Sequence, residues 1–143
     1  MTASLSYETL LNDLVGAVKA SPGCLGVETA RTESGKIVIF GWFRDRRAVL
    51  DWYEGAYHRE LQRRFFPGLT PRPPLRDVPV GGGPIMVVAS LTLGPRPGFA
   101  ESTLPITQIA IELYRPVTGG IFLGSRFAPD TVEVGDIRDV GGP

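Results

Sequence analysis

Apolar residues recur every three or four positions over residues 4–20, where Tyr7, Leu10, Leu11, Leu14, Val15 and Val18 form one stripe. That spacing predicts an amphipathic helix, because a helical period returns those side chains to one face. Ser4 or Ser6 is a candidate N-cap, since a hydroxyl oxygen accepts from an N–H that the first turn leaves unpaired. Pro22-Gly23 stops the helix. The period then changes to two. Cys24–Arg31 alternates, with Leu25, Val27 and Thr29 on one face, and Ile37–Phe43 is rich in β-branched and aromatic residues. Glu33-Ser34-Gly35-Lys36 between them has turn composition, so the two runs predict a hairpin. Ile37, Ile39, Gly41 and Phe43 fall on one face of the second run, and Val38, Phe40 and Trp42 on the other. A strand apolar on both faces belongs at the centre of a sheet and is covered on each side.

Helical spacing returns over residues 45–66. Asp45 is the candidate N-cap, and Val49, Trp52, Tyr53, Ala56, Tyr57, Leu61 and Phe65 form the buried stripe. Gly55 lies inside this stripe, weakens the helix by about 1 kcal/mol relative to alanine, and marks the expected kink. Pro67 ends the helix, and the Pro- and Gly-rich residues 67–84 read as a long loop. Three strand candidates follow, at 85–93, 106–114 and 120–127. The last two flank Arg115-Pro116-Val117-Thr118-Gly119, a connection of hairpin length. From Ala128 the chain is polar and acidic, which reads as a surface extension. Helices on either side of a hairpin, with further antiparallel strands, predict a two-layer α+β sandwich. The expected organisation is one domain over residues 1–128, with an extra C-terminal hairpin, and a surface tail over 129–143.

A chain of 143 residues suits one domain and buries roughly two-thirds of its unfolded surface without a disulfide or a metal. Lys and Arg total 15 and balance 15 Asp and Glu, so the broad positive field that nucleic acid or an anionic membrane requires is missing. No nucleic-acid or membrane partner is expected. Cys24 is the only cysteine, which excludes an intramolecular disulfide and a cysteine-based zinc site. The first ten residues carry no basic and apolar leader pattern, so the expected location is the cytoplasm.

The run Pro22-Gly23-Cys24-Leu25-Gly26-Val27-Glu28, the strand from Ile37 to Trp42, and a helix carrying Ala48-Val49-Leu50-Asp51-Trp52-Tyr53 and His58-Arg59 resemble the antibiotic-biosynthesis-monooxygenase superfamily. The resemblance covers residues 5–66. It implies a ferredoxin-like fold with an antiparallel sheet, paired into a dimeric α+β barrel. Family members begin with a strand before the first helix, and here the first five residues are too short for one. Residues 84–93 look like that strand, displaced to a position after the second helix. A rearranged sheet is therefore expected, in which residues 85–93 fill the vacant position.

The resemblance also points to cofactor-independent oxygenation of an aromatic substrate, in which the substrate carbanion reacts with oxygen inside a dry pocket. No cofactor and no metal are expected. His58, the only histidine, with Trp52 and Tyr53, are the candidate catalytic residues, and Phe40, Trp42 and Tyr57 the candidate ligand-binding residues. An imidazole is a ready general base near neutral pH. Ordinary structural roles compete with each assignment: His58 has Glu54 one turn before it, and the aromatics fall on core or interface faces. Haem-degrading relatives use an Asn, a Trp and a His; here His58 follows Trp52 too closely, and no N-terminal strand carries the Asn. Gly81-Gly82-Gly83 lacks the Lys-Ser/Thr of a phosphate loop and reads as a turn. Arg44, Arg46, Arg47, Arg59, Arg63 and Arg64 make the second helix basic, but interspersed acidic residues make this a solvated face.

Two helices shield one side of such a sheet, so a homodimer is expected to cover the other. Two readings stand side by side: a protein binding a hydrophobic or aromatic small molecule with oxygenase activity, and a non-catalytic module for dimerisation or partner binding. An edge strand among residues 106–127 suits the second, since exposed ladder groups need partners.

Overall fold

A computed structural model describes residues 2–67, 82–98, 100 and 105–141. Helix α1 runs from Thr2 to Ala20, so Ser4 and Ser6 lie within the helix and not at the position before it. Strands β1 (Cys24–Arg31) and β2 (Ile37–Phe43) form the expected antiparallel hairpin, closed by Thr32 N–H donating to the Lys36 carbonyl at 3.0 Å. Asp45 caps α2 (Arg46–Tyr53), its carboxylate accepting from the Ala48 N–H at 2.9 Å. The helix read over 45–66 is two helices. α2 ends at Tyr53 and α3 (Ala56–Phe65) restarts after Gly55, where the sequence placed a kink. Most of the Pro- and Gly-rich loop lies outside the described residues.

Strands β3 (Ile85–Leu93) and β4 (Ile106–Tyr114) complete one antiparallel sheet of order β1-β2-β3-β4. β3 pairs along the whole of β2, from Ile37 opposite Leu91 to Phe43 opposite Ile85. The rearranged sheet is thus present: residues 85–93 occupy an inner position beside β2. A small polar ladder ties β3 to β4, with Gln108 Nε2 donating to Ser90 Oγ and Thr92 Oγ1 donating to Gln108 Oε1, each at 2.9 Å. No helix among the described residues is long and apolar enough to cross a membrane.

Helices α1 and α2 cover one face. Their core with the sheet is built from Val18, Phe43, Ala48, Val49, Trp52, Ile85 and Val87. Phe43 is fully buried, and its ring packs 5.7 Å from that of Trp52.

The C-terminal third departs from expectation. Strand β5 is only Ile121–Phe122 and pairs parallel with β6 (Arg138–Asp139), so the hairpin read over residues 106–127 does not form. Pro116 and the two glycines at 119 and 120 interrupt regular pairing after β4. The backbone groups of the following residues find partners further along: Arg138 N–H donates to the Gly120 carbonyl and Val140 N–H to the Phe122 carbonyl, each at 2.9 Å.

The tail read from residue 129 as a surface extension begins as a packed segment, while most of residues 133–141 are exposed. Residues 126–132 fold back over the sheet face that α1 and α2 leave open. Phe127 meets Phe40 edge-on at 5.0 Å, and Val132 is fully buried. Pro129 sits so close to β1 that a Cβ on Gly26 would lie 2.6 Å from the proline ring. Arg126 Nη2 holds the segment in shape by donating to the carbonyls of Pro129, Asp130 and Val132 at 3.0, 3.2 and 2.6 Å. The physical reason is the one that suggested a twin subunit: an apolar second face must be covered. Here the chain's own C-terminal segment covers its β1–β2 half.

Candidate functional site

Where α2 gives way to α3, the backbone frees a carbonyl. Glu54 N–H donates to the Leu50 carbonyl at 2.8 Å and Gly55 N–H to that of Trp52 at 3.2 Å, which closes α2. Gly55 is extended (φ −63°, ψ 152°), and the ladder of α3 begins with Arg59 N–H on the Gly55 carbonyl at 3.0 Å. Between these two ladders the Tyr53 carbonyl receives the imidazole of His58, with Nδ1 3.0 Å away. The Glu54 pairing expected of an unbroken helix is not what holds His58.

Two rings enclose the imidazole. Trp52 lies 4.7 Å and Tyr53 4.9 Å from it, centroid to centroid, and the two are 6.1 Å apart. Burial lowers the His58 pKa below its ordinary value, and the weaker influence of the Tyr53 carbonyl works the other way. The ring is therefore neutral at pH 7. A carbonyl only accepts, so Nδ1 carries the proton and Nε2 holds the basic lone pair.

His58 and Trp52 close one side of a cavity of about 90 Å³ between the helices and the sheet. Leu14 and Val18 of α1 and Ile39 and Val87 of the central strands form its apolar walls. Among the described residues, His58 is the only titratable side chain lining it. Ile109 and Ile111 of β4 also line the cavity and are 45% and 41% exposed, so it opens along that edge.

Of the candidate residues, the structure brings His58, Trp52 and Tyr53 together. Trp52 and His58 line the cavity, while Tyr53 stacks against the imidazole and provides its acceptor. Phe40 and Trp42 do not belong to this site. Successive strand residues point to opposite faces, and the cavity side of β2 is Ile37, Ile39, Gly41 and Phe43. Phe40 instead meets Phe127 under the C-terminal segment. Tyr57 precedes His58 by one residue, which turns it to a different side of α3, and it is 45% exposed. Leu14 and Val18 carried a signal in the first helical stripe. Ile109 and Ile111 belong to the strand candidate at 106–114, and neither a stripe nor a strand by itself marks a site.

A pH dependence follows for the fold itself. The folded pKa of His58 is depressed, so the unfolded chain binds the proton more readily. Stability is expected to be full above about pH 6.5 and to decline as pH falls through that value toward the folded pKa. His58→Gln removes this component of the slope. Urea melts from pH 7.5 to 5.5 check it: an equal slope in both proteins contradicts the assignment.

In comparison with known proteins, residues 5–64 match the family described as antibiotic biosynthesis monooxygenase. The match spans α1 to nearly the end of α3 and stops before β3. The family has a ferredoxin-like α+β fold, with which helices on an antiparallel four-stranded sheet agree. No curated protein and no solved structure matches the chain.

Proposed function

Over residues 5–64 the chain is antibiotic-biosynthesis-monooxygenase-like, and from that premise we propose that it binds a small apolar or aromatic molecule in the cavity beside His58 and oxygenates it without a cofactor. One observation carries this reading: a neutral imidazole, its Nδ1 already bonded, faces a largely apolar cavity. Nε2 accepts a proton from an acidic C–H of the substrate. The carbanion delivers its electrons to dioxygen, and a CH2 group with O2 becomes a C=O group and water. No external reductant is needed. The apolar walls exclude competing water.

The cavity limits the ligand. About 90 Å³ is smaller than the roughly 150 Å³ that admits benzene in an engineered protein cavity. A ligand of one ring or more therefore extends outward past Ile109 and Ile111. Titration with phenol and with 1-naphthol, followed by the His58 proton resonances, tests binding. Saturable shifts that disappear in Ala89→Leu, which fills the cavity wall, are the expected result. Shifts that fail to saturate, or that persist unchanged in Ala89→Leu, defeat the reading. For an oxidisable substrate, His58→Gln is expected to lower turnover about 10²- to 10⁴-fold.

Proteins of this family are commonly dimeric, and the reading includes a cytoplasmic homodimer. Its support lies on β4, which among the described residues pairs with β3 alone and exposes Ile109 and Ile111 on its cavity side and Tyr114 on the other. The same surface favours the second reading, a non-catalytic pairing module. Sedimentation at micromolar concentration showing only a 15.5 kDa species removes the dimer from both.

A further inference from the structure

We propose that Gly55 is a positioning residue: by breaking the helix after Tyr53 it releases that residue's carbonyl to hold Nδ1–H of His58, which sets Nε2 as the basic nitrogen. The inference rests on the reading of His58 as the base of this site, and it names what orients that base. In an unbroken α-helix every interior carbonyl accepts from the N–H four residues on, so Tyr53 would be occupied by Tyr57. A side chain five residues on could not then claim it. The chain avoids that pairing because residue 55 takes an extended ψ of 152° between two helices.

What favours glycine there is space, since its φ and ψ are open to any residue. A Cβ at position 55 would lie 3.0 Å from the Asp51 carbonyl oxygen and 3.2 Å from that of Trp52. Both are backbone atoms of α2, so a side chain here is accommodated only if the helix end shifts by a few tenths of an ångström. Alanine also favours continuing the helix far more than glycine does. The two effects act together against the break. The break has a second consequence: it puts His58 in the first turn of α3, where the positive end of the helix disfavours a cationic ring. Burial beneath Trp52 and Tyr53 acts in the same direction.

Because His58 is the only histidine, its ring nitrogens give an unobscured ¹⁵N signal pair in the full-length labelled protein. Above its titration, the wild type is expected to show a protonated Nδ1 and an unprotonated, pyridine-type Nε2. Gly55→Ala is expected to lose that pattern, with the proton moving wholly or partly to Nε2. Tyr53→Phe keeps the carbonyl and is expected to retain the wild-type pattern. A wild type protonated at Nε2 overturns the proposal. So does a folded Gly55→Ala that keeps the pure Nδ1–H form, or a Tyr53→Phe that loses it. If Gly55→Ala does not fold, the other two spectra still decide. All are recorded without ligand, so failure of phenol or naphthol to bind leaves the tautomer result standing, and the converse holds.

Discussion

Trp52→Ala is expected to cost about 3–5 kcal/mol of folding stability, the range for removing a buried large aromatic side chain. Domains of this kind have about 5–15 kcal/mol in total, so the variant would be partly unfolded under mild conditions. The size of the effect comes from where the indole sits. It is 8% exposed, packs against Phe43 in the centre of the core, and contacts both Tyr53 and His58. Its loss would leave a void that two helices and a sheet cannot close without moving. Urea denaturation measures the change. A shift well below about 1 kcal/mol would mean that Trp52 is not packed as described. Trp52→Phe keeps an aromatic contact with Phe43 and should cost markedly less. In both variants the imidazole loses part of its enclosure, so the His58 pKa should rise toward its ordinary value, readable by NMR titration.

Gly26→Val should release the C-terminal segment from the sheet, with a cost of about 1–3 kcal/mol typical of overpacking. The added Cβ would lie 2.6 Å from the ring of Pro129, a rigid side chain that cannot rotate away. Valine is otherwise well suited to a strand, so β1 itself should persist. The consequence is specific: amides of residues 126–132, now held by Arg126 and by the Val132 N–H to Pro129 carbonyl bond of 2.9 Å, should exchange with solvent much faster. Phe40 and the buried Val132 should become accessible. Exchange at 126–132 indistinguishable from wild type would show that the segment does not depend on its seat at Gly26.

These two sites differ in how far the amino-acid pattern foretold them. The helical stripe containing Trp52, the Asp45 cap, the β1–β2 hairpin and the weak point at Gly55 were all legible, because each depends on neighbours within a few residues. The proximity of Trp52 and His58, six residues apart, does not follow from helical spacing and depends on the break at Gly55. Strand alternation correctly placed Phe40 and Trp42 on one face of β2, yet alternation cannot say which face the helices will take. The candidate ligand set therefore mixed residues from opposite sides of the sheet.

Residues 120–127 show the limit most clearly. The short connection before them suits a hairpin with β4, but a backbone N–H or C=O bonds to whichever segment reaches it. Gly120 and Phe122 are reached by Arg138 and Val140. The cover on the second face has the same origin. An apolar β2 on both sides implied that something must lie over Phe40, and local pattern supports that inference because burial follows from composition. Whether the cover is another subunit or a distant stretch of the same chain depends on contacts far apart in sequence. Periodicity within a segment carries no record of those, and only the three-dimensional path of the chain placed Phe127 and Pro129 there.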